Sequence, residues 1–504
     1  MNRPFSPRVV AVVATALWIA GCSLAPVYQT PPPPAAAAAF KETIPASEAG
    51  SWKTAEPSDA VARGEWWTVF GDPRLDELEA QAATANQSLK AGLARLAQAR
   101  AIARVSEADR LPQVDIGAGA TRWRPSPASE GRPASADTKA QTLWRAQASA
   151  SYEVDLFGRV ANAVAAAQAD AQQTEALYRS LLLAIQADVA QHYFAIRSLD
   201  AELALLDETV KLREAALQLV DRRFKAGETS ELDVARARTE LSVTRSEAIG
   251  TGRRRAELEH ALAVLVGKAP AELSLPRLPL AFEPIAIPAG LPSALLERRP
   301  DIAAAERAMA AANARIGEAR AAFFPSLTLT GALGFESADI GDLFRWSSRT
   351  WLLGPMAGTM LSMPLFDGGR NKALEASARA QYDDALAQYR QSVLAAFREV
   401  EDGLSGLRIL AEQSREQAQS VEAARRAAQL SSARYRNGFV NYLEVIDAER
   451  TVLSTERAAT QVERERALAT VALVRALGGG WGTASTASAL QSKSAPRRTE
   501  TVVQ

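Results

Sequence analysis

The sequence predicts a mainly α-helical protein with a transmembrane β part, built from a duplicated unit. Three observations support this fold class: an internal repeat, two very long stretches without proline, and short segments of alternating polarity at matching places in both halves. Residues 178–199 align with 389–410 without a gap, at an offset of 211, and Arg223–Gly227 aligns with Arg434–Gly438 at the same offset. Self-similarity at one fixed spacing is typical of a repeated structural unit. Each unit is expected to contain a helix, two strands and a long helical hairpin.

The N-terminal residues have the order of segments that is typical of a secretory signal peptide. Arg3 and Arg8 precede an apolar run from Val9 to Ala20, and Gly21 and Cys22, the only cysteine, follow it. One cysteine excludes an intramolecular disulfide. The order predicts a signal peptide over residues 1–21. Its end resembles the bacterial lipobox, which implies that Cys22 carries a lipid and that the protein is sorted to the outer membrane; the alternative is an ordinary signal peptide with a chance cysteine.

Two further segments show no sustained apolar period. Residues 22–60 are rich in proline and alanine and are expected to form an extended, lipidated tether. Residues 483–504 are low in complexity and are expected to be disordered. After the signal, the chain has no run of roughly 20 apolar residues, so a membrane crossing by the mature protein requires a closed β-barrel.

The first repeat is expected to span residues 61–280. A helix that begins after Asp72-Pro73 should end at Pro112, because proline removes a backbone donor and restricts the residue before it. Residues 113–122 and 144–155 then alternate between apolar and polar side chains, which predicts two strands.

The second repeat is expected to span residues 281–482 and follows the same course. Pro325 stands where Pro112 stands in the first repeat, and residues 327–336 alternate in the same way. A fourth strand should contain Met356, Met360 and Met363. Alternating segments of about 10 residues between polar loops are typical of transmembrane barrel strands, although the strands alone fit a soluble sandwich nearly as well.

The helical stretches decide against the soluble sandwich. From Gly158 to Phe224 there is no proline and no internal glycine, and roughly 67 residues at about 1.5 Å each make a helix on the order of 100 Å long. Its apolar residues follow a heptad spacing, which requires a partner helix. The returning stretch from Ser230 to Val266 can supply that partner. The heptad residues are Ile196, Leu199, Leu203, Leu206, Val210, Leu217, Val220 and Phe224.

Both hairpin turns have the residues that end one helix and begin another. Gly227 suits the left-handed position after a helix, and Ser230 can cap the next helix with Asp233 at the spacing of a capping box. The matching residues of the second turn are Gly438, Asn441 and Glu444.

Catalytic or metal-binding constellations are not evident in the sequence. His192 and His260 have no second histidine or cysteine at ligand spacing, so we expect no metal, no cofactor other than the lipid, and no enzymatic activity. The 58 basic and 58 acidic residues cancel, and this balance gives no reason to expect a nucleic-acid partner. Arg253–Arg255 are expected to form a solvated face of their helix.

Five sequence motifs together are highly specific: Trp66–Pro73, Arg299–Ile302, Phe323–Leu327, Pro364–Arg370 and Ala476–Trp481. Through these motifs the chain resembles the outer-membrane factor family of tripartite efflux systems, the TolC-like and OprM-like channels, over residues 60–482. The lipobox points to the OprM/NodT-like lipoprotein branch. The resemblance implies a homotrimer in which each protomer adds four strands to a shared β-barrel and its coiled-coil hairpins to a periplasmic α-barrel.

The resemblance also implies where function resides. The two turns are expected to dock a periplasmic adaptor protein, which in turn engages an inner-membrane transporter of the RND type. Glu444 and Asp447 are expected to line the periplasmic pore constriction, with Tyr435 helping to hold it closed. The alternative is that Glu444 only caps its helix and Asp447 only pairs with Arg450. Relatives carry a charged residue at the position of Val440 that stabilises the closed state. The resemblance implies that this stabilising contact is absent here. The residues expected to dock the adaptor are Arg223, Gly227, Thr229, Ser230, Arg434, Gly438 and Asn441.

The expected function is therefore an outer-membrane efflux channel that conducts drugs or other small toxic compounds from the periplasm to the exterior. The alternative is a structural or adhesive coiled-coil surface lipoprotein without a conduit. That alternative explains the heptads and Cys22, but it does not explain the paired alternating segments. A wide water-filled duct selects weakly, so the sequence leaves open the exported compound, the cognate adaptor and transporter, and the tightness of closure.

Overall fold

The computed structural model describes residues 24–32, 41, 65–280, 298–353 and 361–479. The expected signal peptide, Cys22, most of the tether and the expected disordered tail lie outside these residues. Two compact units are present. Among the described residues, one unit falls within Met1–Pro32, Arg95–Glu175 and Ala304–Arg390, and the other falls within Pro33–Ala94, Ala176–Ala303 and Gln391–Gln504.

Seven α-helices and five β-strands are present in the described part of the chain. None of these helices has an apolar stretch long enough to cross a membrane. The helices are α1 Pro73–Ala85, α2 Gln87–Ala108, α3 Arg159–Lys225, α4 Glu231–Leu265, α5 Pro300–Ala321, α6 Arg370–Arg436 and α7 Tyr442–Ala476. The strands are β1 Gln113–Trp123, β2 Gln141–Val154, β3 Ser326–Ser337, β4 Arg349–Leu353 and β5 Leu361–Ser362.

The helices confirm the predicted duplication. Helices α3 and α6 both contain 67 residues, and α4 and α7 both contain 35. Each helix of the second hairpin begins and ends 211 positions after its counterpart. The long helix expected from Gly158 to Phe224 is therefore confirmed to within one residue at each end.

The single helix expected between Asp72-Pro73 and Pro112 is wrong in one respect, because it breaks at Asn86. There the backbone leaves the helical conformation at ψ 126°, and the Asn86 side chain accepts a hydrogen bond from the N–H of Leu89 at 3.0 Å. The same side chain donates to the carbonyl of Leu265 at 2.8 Å. Asparagine competes with the helical backbone in this way, so Asn86 ends α1 and caps α2.

The strands form one antiparallel sheet in the order β1-β2-β3-β4, and β5 also pairs with β3. The β2–β3 pair joins the two repeats, with Val154 opposite Leu327. Arg145 and Glu336 lie opposite each other on β2 and β3 and form an ion pair of 3.0 Å. The fourth expected strand is present as β4 and β5, on either side of residues 354–360. Met356 and Met360 lie outside the described residues, and the placement of Met363 in the strand is wrong, because β5 ends at Ser362.

Residues 24–32 have no regular secondary structure but are bound along α5 in the antiparallel sense. Arg320 donates to the carbonyl of Leu24 at 3.3 Å, and Asn313 donates to the carbonyl of Pro26 at 2.9 Å. The Tyr28 hydroxyl donates to the carboxylate of Glu306 at 2.5 Å. The start of the expected tether is thus fixed to the helix that leads into β3.

The predicted heptad seam is largely buried, but one of its positions is polar. Ile196, Leu199, Leu203, Leu206 and Val220 are buried, whereas Phe224 is 40% exposed. Arg213 lies seven residues after Leu206 and is also buried.

The expectation of a solvated face at Arg253–Arg255 is wrong for Arg255. Its side chain is buried, and it donates to Asp200 at 2.6 Å and to the carbonyl of Leu275 at 2.8 Å. Asp200 lies on α3, so the ion pair joins α3 to α4. A buried arginine requires such acceptors, because an unpaired buried charge is costly.

Candidate functional site: the two hairpin turns

The first turn ends α3 with a left-handed glycine. Gly227 has a φ of 78°, a conformation that L side chains rarely adopt. Its N–H donates to the carbonyl of Phe224 at 2.9 Å, and the N–H of Glu228 donates to the carbonyl of Arg223 at 2.9 Å. These two bonds satisfy carbonyls that the end of the helix would otherwise leave unpaired.

The second turn has the same geometry. Gly438 also has a φ of 78°. The N–H groups of Gly438 and Phe439 donate to the carbonyls of Tyr435 and Arg434, both at 3.0 Å. The two turns are therefore structural copies, as the sequence alignment predicts.

The caps that begin the returning helices are also in place. The N–H of Asp233 donates to the Ser230 Oγ at 3.4 Å, and the N–H of Glu444 donates to the Asn441 Oδ1 at 3.2 Å. Thr229 and Ser230 both donate to the Asp233 carboxylate, at 2.6 and 3.1 Å. The hydrogen bond from Thr229 is the largest influence that holds the pKa of Asp233 below its usual value.

An apolar cluster joins the two hairpins beside their turns. The rings of Tyr435 and Tyr442 lie 5.4 Å apart, and the Arg223 guanidinium lies 4.9 Å from the centre of the Tyr435 ring. The Tyr435 hydroxyl is buried and has no hydrogen-bond partner among the described residues. Burial raises the pKa of Tyr442 well above its usual value. The cluster consists of Val220, Val234, Ala237, Tyr442, Val445 and Ile446, with Leu217 and Tyr435 partly buried against it.

Residues 223–232 and 434–443, here called the turn surface, expose both apolar and basic side chains. Phe439, directly after the turn glycine, is 76% exposed. Sequence analysis missed this residue, because its exposure depends on how the two turns pack. The other exposed large apolar residues are Phe224, Leu232 and Leu443, and the exposed cations are Lys225, Arg434 and Arg436.

The acidic residues expected at the constriction lie near the start of α7. Glu444 and Asp447 are both exposed and, three residues apart, they share one face of the helix. Arg450 lies 3.7 Å from the Asp447 carboxylate. Glu444 forms no side-chain hydrogen bond or ion pair with the described residues.

Arg450 interacts more closely with Glu240 on α4 than with Asp447. Its Nε donates to the Glu240 carboxylate at 3.1 Å, and Glu240 is buried. On its other side, Glu240 lies 3.1 Å from Arg213 of α3. This ion triad ties α7 to the first hairpin just behind the turns, and sequence analysis missed it because Arg213 occupies a heptad position.

Comparison with known proteins agrees with this architecture. The family model described as outer membrane efflux protein matches two stretches of the chain, residues 78–268 and 291–479. The outer membrane protein OprJ of Pseudomonas aeruginosa is 35% identical over 94% of this chain and 96% of its own length. The toluene efflux pump outer membrane protein TtgC of Pseudomonas putida is 36% identical, over 94% of this chain and 96% of its own length.

A solved structure shows the same fold. The structure of the outer-membrane channel OprN is 32% identical in sequence, with a TM-score of 0.81, and the match covers 91% of this chain and 100% of that one. Each of the two stretches that fit the family model lies within one of the two repeats expected from the sequence, residues 61–280 and 281–482. The chain belongs to the outer membrane efflux protein family, as its motifs predicted.

Proposed function

We propose that the protein is the outer-membrane channel of a tripartite efflux pump, coupled through a periplasmic adaptor to an inner-membrane transporter of the RND type. The observation that carries this proposal is the turn surface, which is duplicated with identical backbone geometry and exposes Phe439 beside a cluster of cations. An amphipathic helical hairpin is the kind of partner that fits such a surface. The cargo that we propose is the class of drugs and small toxic compounds, to which the toluene in the name of the Pseudomonas putida relative belongs.

The sheet supports a homotrimer. One protomer supplies a sheet whose outer strands, β1 on one side and β4 with β5 on the other, have no further neighbour among the described residues. Unpaired strand edges cost several kcal/mol per group in lipid, and four strands are too few to enclose water. Three copies joined edge to edge would satisfy these groups.

We also propose that Cys22 is lipidated and that the lipid assists membrane anchoring. The contacts of residues 24–28 with α5 support this proposal, because they hold the chain next to Cys22 beside the helix that leads into β3. The mass of the N-terminal peptide of the mature protein tests it. A peptide without an acyl modification would contradict it.

We expect replacement of both turn glycines by tryptophan to abolish efflux while leaving the assembled channel intact. Nothing lies within 4 Å of a Cβ atom placed at Gly227 or Gly438, so the first side-chain atom meets no neighbour within the protomer. A docked partner would meet the added bulk. The measurement is drug resistance of a strain that depends on this channel, together with the amount of trimer in its outer membrane.

Two controls separate docking from backbone strain in this experiment. Alanine at Gly227 and Gly438 carries the same left-handed strain, about 1–2 kcal/mol for each residue, without the bulk, and should preserve efflux. Gly131, in the loop between β1 and β2, has a φ of 66° and equally open space, so Gly131→Trp should also preserve efflux. Normal resistance in the Gly227→Trp, Gly438→Trp double variant would exclude the turns as the docking site.

We further propose that Glu444 and Asp447 form two acidic rings at the periplasmic constriction of the trimer, with Tyr435 in the contact that keeps the turns together. Rings of three carboxylates in a narrow passage favour cations. The resting channel should be closed and mildly cation-selective, with some leak because Val440 lacks a charge.

The double variant Glu444→Gln, Asp447→Asn should lose this cation selectivity in planar bilayers, because it removes six carboxylates from three protomers. The measurement is the reversal potential under a salt gradient, together with block by divalent cations. Glu228→Gln with Glu231→Gln removes the same number of charges from the first turn and serves as the matched control. Unchanged selectivity and divalent block in the first variant would place the constriction elsewhere.

A further inference from the structure

Charged side chains form a ladder between α4 and α7 at a spacing of seven residues. The first rung pairs Glu240 with Arg450, whose Nε lies 3.1 Å from the carboxylate. The second rung pairs Glu247 with Arg457 at 3.2 Å. Each rung places an acid of the first hairpin against a base of the second, and seven residues bring a helix back to nearly the same face.

The third rung breaks the pattern because it contains two arginines. Seven residues beyond the second rung lie Arg254 on α4 and Arg464 on α7. Arg254 donates to Thr251 at 2.9 Å and lies 3.5 Å from Glu202 of α3, but Glu202 is engaged more closely by Arg457, at 2.8 Å. One carboxylate is thus shared by two guanidiniums.

Arg464 has no partner of its own. It forms no hydrogen bond or ion pair with any described residue, and its Nε is buried without an acceptor. A buried donor without an acceptor is costly, because the hydrogen bonds that it made to water are not replaced. The guanidinium of Arg464, which no described residue engages, is therefore available to an acceptor from outside the chain.

Both arginines of the third rung line one cavity of about 450 Å³ between α3, α4 and α7. Its walls contain three guanidiniums, of Arg254, Arg457 and Arg464, and a single carboxylate, that of Glu202, which is a surplus of two positive charges. Counting Glu247, which accepts from Arg457 outside the cavity, a surplus of one remains. Hydroxyl and amide groups complete the polar lining, and they belong to Ser198, Ser454, Thr460 and Gln461.

We propose that this cavity binds a small tetrahedral oxyanion, for which free inorganic phosphate is the probe. Arg464 donates to the oxyanion through its guanidinium, which has no partner among the described residues, and Arg254 lines the same cavity from α4. A guanidinium group binds such an anion through charge-assisted hydrogen bonds, because two of its parallel N–H donors match two oxygens of the anion. The bound anion takes the place of the missing acid, so it completes the third rung and ties the two hairpins together. This site is separate from the turn surface and from the expected constriction.

The test is phosphate binding by the purified, detergent-solubilised trimer, measured by calorimetry and by the midpoint of thermal unfolding. Because phosphate binds only the folded state, the midpoint should rise with the logarithm of its concentration. Chloride at equal ionic strength should produce no such rise. Arg464→Gln should weaken phosphate binding at least about tenfold, through the loss of a charge-assisted hydrogen bond.

Two further variants make the test decisive. Arg464→Glu restores an opposite-charge rung with Arg254, so it should remove the phosphate response and raise the unfolding midpoint in phosphate-free buffer. Arg253→Gln removes the same charge from the exposed neighbour of Arg254 and should bind phosphate as the parent does. Equal responses to phosphate and chloride, or a full phosphate response in Arg464→Gln, would overturn the proposal. A lower midpoint for Arg464→Gln without phosphate would also overturn it, because Arg464 would then pair with an acid of a neighbouring protomer.

Discussion

Asp200→Ala should destabilise the protein by about 3–5 kcal/mol per protomer, the cost of breaking a buried ion pair from one side. The Asp200 side chain is 1% exposed and accepts from Arg255 at 2.6 Å, from Arg197 at 3.3 Å and from the N–H of Leu278 at 3.2 Å. Alanine would leave the buried arginines without this carboxylate. Each of them retains a backbone acceptor, the carbonyls of Leu275 and Pro276, and Arg255 also keeps its ion pair with Glu259 at 2.9 Å. The expected loss is therefore that of the ion pairs with Asp200 and not of every contact.

The measurement is chemical unfolding of the purified protein, followed through its helical circular dichroism. Asp207, on the same helix, provides the matched control, because its side chain is 54% exposed and lies 3.7 Å from Arg277. Asp207→Ala should cost less than about 1 kcal/mol, as expected for an exposed ion pair. Equal effects of the two substitutions would show that the buried ion pairs do not stabilise the fold.

Glu79→Gln should stabilise the protein increasingly as the pH rises. Glu79 of α1 is fully buried, and its two carboxyl oxygens have no partner among the described residues. Burial, with a smaller contribution from Asp76, raises the pKa of Glu79 to about 9. In the unfolded chain the same carboxyl has a pKa near 4.5. Above that value the unfolded state has released the proton and the folded state retains it, so stability falls with rising pH until about pH 9.

Glutamine has the shape of the protonated side chain but does not titrate. The parent and Glu79→Gln should therefore unfold at nearly the same temperature at pH 5 and diverge by at most about 4 kcal/mol per protomer at pH 7.5, at about 1.4 kcal/mol per pH unit. Glu77, exposed on the same helix and paired with Arg74, provides the control Glu77→Gln, which should show no such divergence. A difference between parent and Glu79→Gln that is independent of pH would contradict the buried, protonated state.

The long helices and their turns could be predicted from the sequence because they depend on local chemistry. Proline and glycine are absent from the interior of α3, and Gly227 and Ser230 provide the hydrogen bonds that a helix end requires. The repeat at an offset of 211 then predicted the second hairpin from the first. The alternation of residues 144–155 predicted β2 to within three residues, because side chains of a strand point alternately to opposite faces.

Residues that depend on tertiary contacts could not be predicted in this way. Arg255 lies in a run of three arginines, a pattern typical of a solvated face, and only the position of Asp200 on another helix explains its burial. Asn86 could also lie inside a continuous helix. The helix break there is explained only by the hydrogen bond that its amide donates to the carbonyl of Leu265. The exposure of Phe439 likewise depends on how the two turns pack.

The expected site residues also fall into two groups, those whose roles depend on local sequence and those whose roles depend on contacts between distant parts of the protein. The roles of Gly227, Ser230, Gly438 and Asn441 at the helix ends follow from local spacing, and the structure confirms them as caps. The roles of Glu444, Asp447 and Tyr435 at a constriction depend on three-fold symmetry. One protomer places the two acids on an exposed helix face and Tyr435 against Tyr442, and their role at the constriction stays a prediction.

The offset of 211 residues between the two repeats holds throughout both hairpins. This regularity restricts where the gene can accept insertions and deletions. Between the starts of β1 and α3 there are 46 positions, but only 44 between the starts of β3 and α6, so the repeats have gained or lost codons around the strands. None have been gained or lost in α3, α4 or the turn between them relative to α6 and α7. A single inserted residue in α4 would rotate Glu240 and Glu247 by about 100° relative to Arg450 and Arg457. Length variation among descendants of the original duplication should therefore collect in the strand loops and the termini, while the hairpins change only by substitution.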